Sequence, residues 1–431
     1  MENLRQHLTA KKILVIILIL SAVLRLYNIW YPKGYVFDEV YHAFTAKEYL
    51  LNHKEGWEWW GSPPAGVAYE WTHPPLAKEI MALSMGVLHT TDAWAYRLPG
   101  AFLGILSVYL IYLLGKKIFN SERVALISAF IFSLDGLNFV QSRTGMNDIY
   151  FVTFALACVL LFLDKRFLLS SIFLGLAVSS KWTGFYLFGM VMVLAIFTRI
   201  KLKYLIYFYL IPPFVYLFTY LPFFLYDHQN YSQFKNNWEL FVQLQQQMWW
   251  YHTGLKATHD YTSPWWSWPI NLKPVWYFVD YEHPNKAVSN IFASGNPLMF
   301  LFGFAALIIS LFELIRKRTK ALLIPVLGYL AFWLPWAISP RIMFLYHYSP
   351  SVPFMSLLLG YQINKLSDEM KGEKFLGGKI SPNQILIISL ILIVISFLFV
   401  YPMLIGIPLD KQNMLLFFRT NLTKNPFGWG S

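Results

Sequence analysis

The fold class that this sequence predicts is an all-α polytopic membrane protein, and three observations predict it. Of its 431 residues, 57% are hydrophobic and only 13% are charged, with a mean hydropathy of +0.45. The apolar residues arrive in runs of roughly 17–22, enough helix to cross a hydrocarbon core. Lysine and arginine gather in alternate connectors between these runs, the pattern that marks cytoplasmic loops.

The first run, near 12–30, follows Lys11 and Lys12 in the manner of a secretory leader. Leu24-Arg25-Leu26-Tyr27 stands where a small-residue cleavage site belongs, so the run reads as an uncleaved first span. Further spans are expected near 96–115, 122–140, 147–163, 167–180, 183–199, 203–225, 294–315, 321–338, 342–363 and 382–402, about eleven helices in all. The short pair flanking Lys181 is compatible with a re-entrant hairpin, and the span at 203–225 carries prolines.

One set of connectors holds Lys116-Lys117-Arg123, Lys165-Arg166, Arg199-Lys201-Lys203, Arg316-Lys317-Arg318-Lys320 and Lys365 to Lys379. These belong in the cytoplasm with the amino terminus. The other set faces outward: the long segments 31–95 and 227–293, the turns near 138–147, Lys181-Trp182 and Ser339-Pro340-Arg341, and a short tail, 403–431. Residues 1–402 form a single catalytic membrane domain in this reading.

In the first outer segment Pro74-Pro75 opens an amphipathic helix, with Leu76, Ile80, Leu83 and Val87 at helical spacing. Such a helix lies along the membrane surface. The second outer segment is rich in Trp and Tyr, as expected of interfacial anchors. The net charge of +12 is accounted for by inner loops, which argues against nucleic acid. Cys158 is the sole cysteine, so an intramolecular disulfide is excluded.

Unusual polar chemistry is confined to the outer side. Asp38-Glu39, in "YVFDEVYHAF", is set among aromatics beside a lipid boundary, where ionised carboxylates are costly. A solvated helix end is the bland explanation. Against it stand Arg97, Arg143, Lys181 and Arg341 at a similar depth, and carboxylates facing convergent cations read as a site. "HPPLAK" adds His73 and Lys78, which a proline-started helix does not explain. "LDGLNFVQSRTGMND" adds Asp135, Asn138, Gln141, Arg143, Asn147 and Asp148. "SSKWTG" places Lys181 between apolar runs, where snorkelling is the simpler reading. "SPRIMFLYHYSP" puts Tyr346 and His347 one to two turns deeper than Arg341; a packed, hydrogen-bonded histidine is the plain alternative. Phosphate-cradling Gly-rich loops, Asp-x-Asp pairs and His-Glu-x-x-His motifs are absent from the sequence, which argues against a nucleotide-dependent enzyme.

Taken in order, "FDEVYH", "HPPLAK", "YRLPG", "GLNFVQSRTGMND", "SSKWTG", "SPWWSWP" and "RIMFLYHYSPSVPF" resemble the protein O-mannosyltransferase family, whose members are membrane glycosyltransferases of the GT-C type. The resemblance covers roughly 12–365. It departs from eukaryotic members in lacking a MIR-type domain within 227–293 and in its short tail, which points to a prokaryotic form. The resemblance implies inverting transfer of mannose from a polyprenyl-phosphate carrier to Ser or Thr hydroxyls of a translocating protein. It also implies an integral plasma-membrane protein with its site on the outer face, and the secretion machinery as a further partner.

A hydroxyl nucleophile needs a base, and a phosphate leaving group needs fixed positive charge. By the resemblance Asp38 matches the catalytic base, Glu39 orients acceptor or backbone, and Arg97 supports the pair. Arg143, Lys181 and Arg341 are the candidates for the carrier phosphate. His73, Asp148, Tyr346 and His347 are expected around the sugar, and Trp265, Trp266 and Trp268 at the acceptor entrance. No cofactor is required, though a divalent cation at Asp38 and Glu39 stays open. The competing readings are a related GT-C transferase that moves another lipid-linked sugar to lipid A or a cell-wall glycan, and, more remotely, a transporter. The latter lacks an inverted repeat and a polar trail to the inner face.

Overall fold

The computed structural model describes residues 2–228, 236–282, 287–369 and 381–410. Most of the expected tail, and the part of the last basic connector from 370 to 379, lie outside the described residues.

Helix α1 (Glu2–Leu26) carries the first apolar run, and the chain turns just after it, where Asn28 takes a φ of 57°, a left-handed conformation that asparagine tolerates. The first outer segment then makes a 3-10 turn, Phe37–Val40, followed by α2 (His42–Leu50), a second 3-10 turn, Lys54–Trp57, and α3 (Leu76–Leu88). Helix α3 starts directly after Pro74-Pro75, as the sequence predicts. Ala77, Met81 and Met85 pack with Ala43, Ala46 and Tyr96. Leu83 and Val87, on the expected apolar stripe, are 66% and 68% exposed. The helix is therefore apolar on two sides, one against protein and one turned outward.

Helices α4 (Ala93–Phe119) and α5 (Glu122–Ser133) are joined through Asn120, at a φ of 48°, and Ser121 caps α5 by accepting from the Val124 N–H at 3.3 Å. Asp135 caps the short α6 (Gly136–Gln141) with both oxygens, accepting from the N–H groups of Leu137 at 3.1 Å and Asn138 at 2.7 Å. Next come α7 (Asp148–Leu163), α8 (Phe167–Ser180), α9 (Gly184–Thr198), α10 (Leu202–Thr219) and α11 (Leu221–Leu225), with extended backbone at Lys181 separating α8 from α9. The second outer segment contains α12 (Asn237–Gly254), and α13 (Pro297–Arg316), α14 (Leu323–Trp333), α15 (Val352–Glu369) and α16 (Pro382–Ile405) complete the helices.

Every expected span overlaps a helix of this series. Among the described residues, five helical segments are long and apolar enough to cross a membrane: Ala93–Phe119, Leu202–Thr219, Pro297–Arg316, Lys320–Ile338 and Pro382–Ile405. Small residues let them close in. A Cβ on Gly360 of α15 would sit 3.0 Å from both Cα and N of Ser128 on α5, an approach that favours glycine.

The fold is not purely helical. Strands β1 (Val275–Asp280), β2 (Ala287–Ala293) and β3 (Leu409–Asp410) form an antiparallel sheet in the order β1-β2-β3, with a bulge between Trp276 and Phe278. "VWYFVD" is composed almost wholly of β-branched and aromatic residues. Reading those aromatics as interfacial anchors masked the strand, and the cross-strand stack of Trp276 on Phe292 (5.6 Å) shows what they do instead. The tail boundary also moves. Residues 403–405 belong to α16, and 409–410 pair with Ala287 and Val288.

Candidate active site

The first outer segment, the start of α7, the break between α8 and α9, the chain after α12 and the turn after Ile338 converge on one cavity of about 490 Å³. Its wall includes Asp38, Glu70, His73, Asn147, Asp148, Lys181, Arg341, Tyr346 and His347. Asp38, His73, Asp148, Lys181, Arg341, Tyr346 and His347 were expected from sequence, and the fold brings them together.

The adjacent carboxylates part company. In a 3-10 turn successive side chains point about a third of a turn apart, so Asp38 faces the cavity and Glu39 faces protein. Glu39 is completely buried. Its Oε1 accepts from Arg97 Nε at 2.7 Å and from the Gly145 N–H at 2.8 Å. Its Oε2 accepts from Arg97 Nη2 at 2.7 Å, from the Val36 N–H at 2.8 Å and from the Tyr96 hydroxyl at 3.3 Å. Arg97 spends its remaining donors on the carbonyls of Ile29, Pro32 and Gly34. Glu39 and Arg97 thus clasp the loop that presents Asp38, and neither lines the cavity, which corrects their expected place at the reacting centre. A cation shared by the two carboxylates would have to displace Arg97. Among the described residues no group of three or more His, Cys, Asp or Glu side chains is placed to hold a metal ion.

The Asp38 carboxylate makes no hydrogen bond or ion pair with the described residues. Withdrawal from bulk water, with Glu70 and Asp148 nearby, pushes its pKa up to about 7 against the pull of Lys181 and Arg341. Lys181 Nζ donates to Asp148 Oδ1 at 2.7 Å and lies 5.6 Å from the centre of the Tyr346 ring. Arg341 sets Nη1 against His252 Nδ1 at 2.5 Å, while its buried Nε has no partner among the described residues.

A second chamber, about 480 Å³, shares His73, Lys181, Arg341 and His347 with the first, and no carboxylate lines it. Trp336 and Tyr186 complete much of its wall, and the Trp336 Nε1–H is buried without an acceptor. Through Trp182 and Phe185 this chamber meets an apolar groove walled by Leu174, Phe188, Phe208, Pro212 and Leu217. The three spaces grade from carboxylates, through cations, to hydrocarbon.

Besides Glu39 and Arg97, four more expected site residues stand elsewhere. Arg143 Nη1 donates to the carbonyls of Leu24, Arg25 and Tyr27 at 3.0, 3.0 and 2.6 Å, so it caps the end of α1 and does not line either chamber. Trp268 is fully buried behind His347, and its Nε1 donates to Ser263 Oγ at 2.9 Å. Trp265 packs on Trp333, and Trp266 is exposed. The exposed part of the cavity wall is instead made by Tyr41, Ala257, Thr258 and His259.

Sequence reasoning missed Glu70, Thr72, His42, Tyr251 and His252. The only hint lay in the Glu70-to-His73 spacing and in "WWYHTG", which was taken for membrane anchoring. Glu70 Oε1 accepts from the Thr72 hydroxyl at 2.5 Å and from His73 Nδ1 at 3.0 Å, and Lys78 Nζ donates to the Glu70 and His73 carbonyls. Burial raises the Glu70 carboxyl, but His73, His42 and Lys78 together hold it well below its usual range. Burial, with His252 and Lys181 alongside, keeps the His73 imidazole well below its usual value despite Glu70.

Two family models match the chain. One, described as dolichyl-phosphate-mannose-protein mannosyltransferase, matches residues 15–237, and the other, the C-terminal four-TMM region of protein-O-mannosyltransferase, matches 237–417. The polyprenol-phosphate-mannose–protein mannosyltransferase of Mycolicibacterium smegmatis is 25% identical, over 92% of this chain and 89% of its own. The Mycobacterium tuberculosis protein of that name is 26% identical, over 88% and 84%. In fold, the chain is similar to the Saccharomyces cerevisiae protein O-mannosyltransferase Pmt1-Pmt2 complex bound to the sugar donor, with a TM-score of 0.74 at 15% identity over 93% of this chain and 91% of that one. ArnT from Cupriavidus metallidurans gives 0.61 at 13% identity, over 92% and 77%.

Proposed function

The chain belongs to the protein O-mannosyltransferase family, and from that membership we propose how its residues divide the work of moving mannose from a polyprenyl-phosphate carrier to a protein hydroxyl. It is a membrane glycosyltransferase of the GT-C fold. The observation that carries the residue roles is the grading of the three adjoining spaces, which share wall residues. An unpartnered Asp38 lies on one side of Lys181 and Arg341, with a carboxylate-free chamber and an apolar groove on the other.

The prenyl chain occupies the groove, and its phosphate lies in the second chamber, where Arg341 and Lys181 supply positive charge and N–H groups. The acceptor Ser or Thr enters over the exposed wall between Tyr41 and Thr258. Its hydroxyl oxygen attacks the anomeric carbon while Asp38 takes the proton. The carbon–oxygen bond to phosphate breaks, its electron pair leaves with the carrier phosphate, and the anomeric configuration inverts. Asp38 afterwards returns its proton to water. A base with a pKa of about 7 is well matched to this task near neutral pH. No step is routed through a metal ion.

The same reading places the amino terminus in the cytoplasm and the site on the outer face of a prokaryotic plasma membrane, where an exported polypeptide would arrive extended from the secretion machinery. The alternating basic connectors support it, as does the pairing of Leu409 and Asp410 with the second outer segment. Incubating the purified protein with labelled polyprenyl-phosphate mannose and a Ser/Thr peptide tests the activity. Labelled peptide is expected, and a sugar found only on lipid or free in water would refute it.

A further inference from the structure

The cavity histidines are held in different hydrogen-bonding states. His347 Nδ1 lies 3.0 Å from both the Phe344 N–H and the Phe344 carbonyl, a donor and an acceptor, so its neighbours select neither tautomer. His252 Nε2 donates to the Thr72 carbonyl at 2.7 Å, and its Nδ1 faces Arg341, so both nitrogens are engaged. His73 differs from both. The Thr72 hydroxyl has one proton, and at 2.5 Å it is given to Glu70 Oε1. What remains beside His73 Nδ1, at 3.0 Å each, is a carboxylate oxygen and a hydroxyl lone pair. Two acceptors require Nδ1 to bear the proton. The neutral ring then has a bare Nε2.

The position of His73 gives that lone pair a purpose. His73 lines both chambers, at the boundary between the carboxylate side and the cation side. On the reading above, that boundary is where the transferred ring sits. Lys181 and Arg341 offer donors there. A sugar hydroxyl must also donate its proton, and a neutral acceptor that does not compete with Asp38 as a base suits it.

We propose that Glu70 is a positioning residue that fixes His73 in its Nδ1–H form, so that His73 Nε2 accepts a hydrogen bond from one hydroxyl of the mannose ring and selects the donor sugar. This rests on the proposed function and adds a selectivity determinant to it. A glutamate can only accept, whereas a glutamine can also donate. Glu70→Gln therefore keeps the shape but releases the tautomer, and a His73 ring protonated at Nε2 would repel the hydroxyl that it formerly held.

The test uses full-length purified protein, a Ser/Thr peptide, and polyprenyl-phosphate donors carrying either mannose or a mannose lacking a single hydroxyl. For the wild type, one deoxy donor should show kcat/KM about tenfold below mannose, the scale of one lost hydrogen bond. In Glu70→Gln, the tenfold preference for mannose over that deoxy donor should collapse to about one, read as a ratio because loss of the Glu70 charge also acts on Asp38 for every donor alike. An equal loss on every donor would mean that Glu70 is merely structural and would overturn the proposal. So would a wild type indifferent to all the deletions. Nitrogen-15 NMR of histidine-labelled protein reads the tautomer without any turnover. A His73 protonated at Nε2 sinks the inference alone, whereas a wild type that fails to move mannose to peptide sinks the functional reading beneath it.

Discussion

Arg97 meets both oxygens of Glu39 at 2.7 Å in a fork of Nε and Nη2, with the pair sealed from solvent. This leaves only one of the two neighbouring carboxylates facing the cavity. Glu39 has no capacity left for a proton or substrate, and Asp38 has all of its own.

Asp38→Asn should lower kcat by about 10²–10⁴-fold, the usual worth of a general base, and leave donor binding intact, as checked by turnover and by binding of the carrier-linked sugar. The wild-type rate should depend on pH with a definite sign. Asp38 acts when deprotonated, so log kcat/KM should climb with unit slope below a pKa of about 7 and flatten above it. Near-normal turnover by the variant would remove Asp38 from the mechanism.

Glu39→Gln should act first on stability. It leaves Arg97 buried without its counter-charge, a defect of about 3–5 kcal/mol, so a marked fall in thermal unfolding temperature in detergent is expected. Unchanged stability combined with lost turnover would instead put Glu39 in contact with substrate.

The two arginines separate the roles of cradle and cap. Arg341→Ala should weaken binding of polyprenyl-phosphate mannose about 10–100-fold by removing a charge-assisted contact. Arg143→Ala should leave donor affinity unchanged while destabilising the end of α1. The opposite ranking in a binding titration would return Arg143 to the phosphate.

Chelation bears on the acidic pair. With Glu39 filled by five donors, treatment with EDTA should leave transfer essentially unchanged. A loss that added Mg²⁺ or Mn²⁺ restores would show that a cation is needed.

Orientation can be read from accessibility. Cys158 is buried, so it gives little background. A cysteine at Arg318 should be shielded from an impermeant thiol reagent in intact cells, and one at Trp266, which is 56% exposed, should react. Reversed labelling would turn the active face inward.

The helices were legible because length and apolarity are local properties, and α3 because Pro74-Pro75 announces its start. Asp38, Lys181 and Arg341 were found as polar residues that a lipid boundary does not tolerate idly. Arg143 satisfies that description too. Nothing in its neighbours reveals that the loose carbonyls of residues 24–27, more than a hundred positions away, would claim it. Glu39 illustrates another limit, since adjacency in sequence suggested shared work and the tight turn sends the two side chains apart. His252 meets the site through a hydrogen bond to Thr72 in a separate segment, and Glu70 through a local bond to His73 outside any regular element, and periodicity carries no trace of either.

Strand β3 has a bearing on when the enzyme becomes whole. Tyr277 of β1 stacks on Phe37, next to the base, with 4.2 Å between ring centres, and β1 is held by β2, whose other edge is covered by Leu409 and Asp410. Asp38 is made among the first residues of the chain, yet the sheet beside it waits for nearly the last of the described ones. During synthesis the amide and carbonyl groups of Ala287 and Val288 remain an open edge until residue 410 has left the ribosome and crossed to meet them. Asp38 is thus made early, but the sheet beside it is completed only after residue 410 has been made.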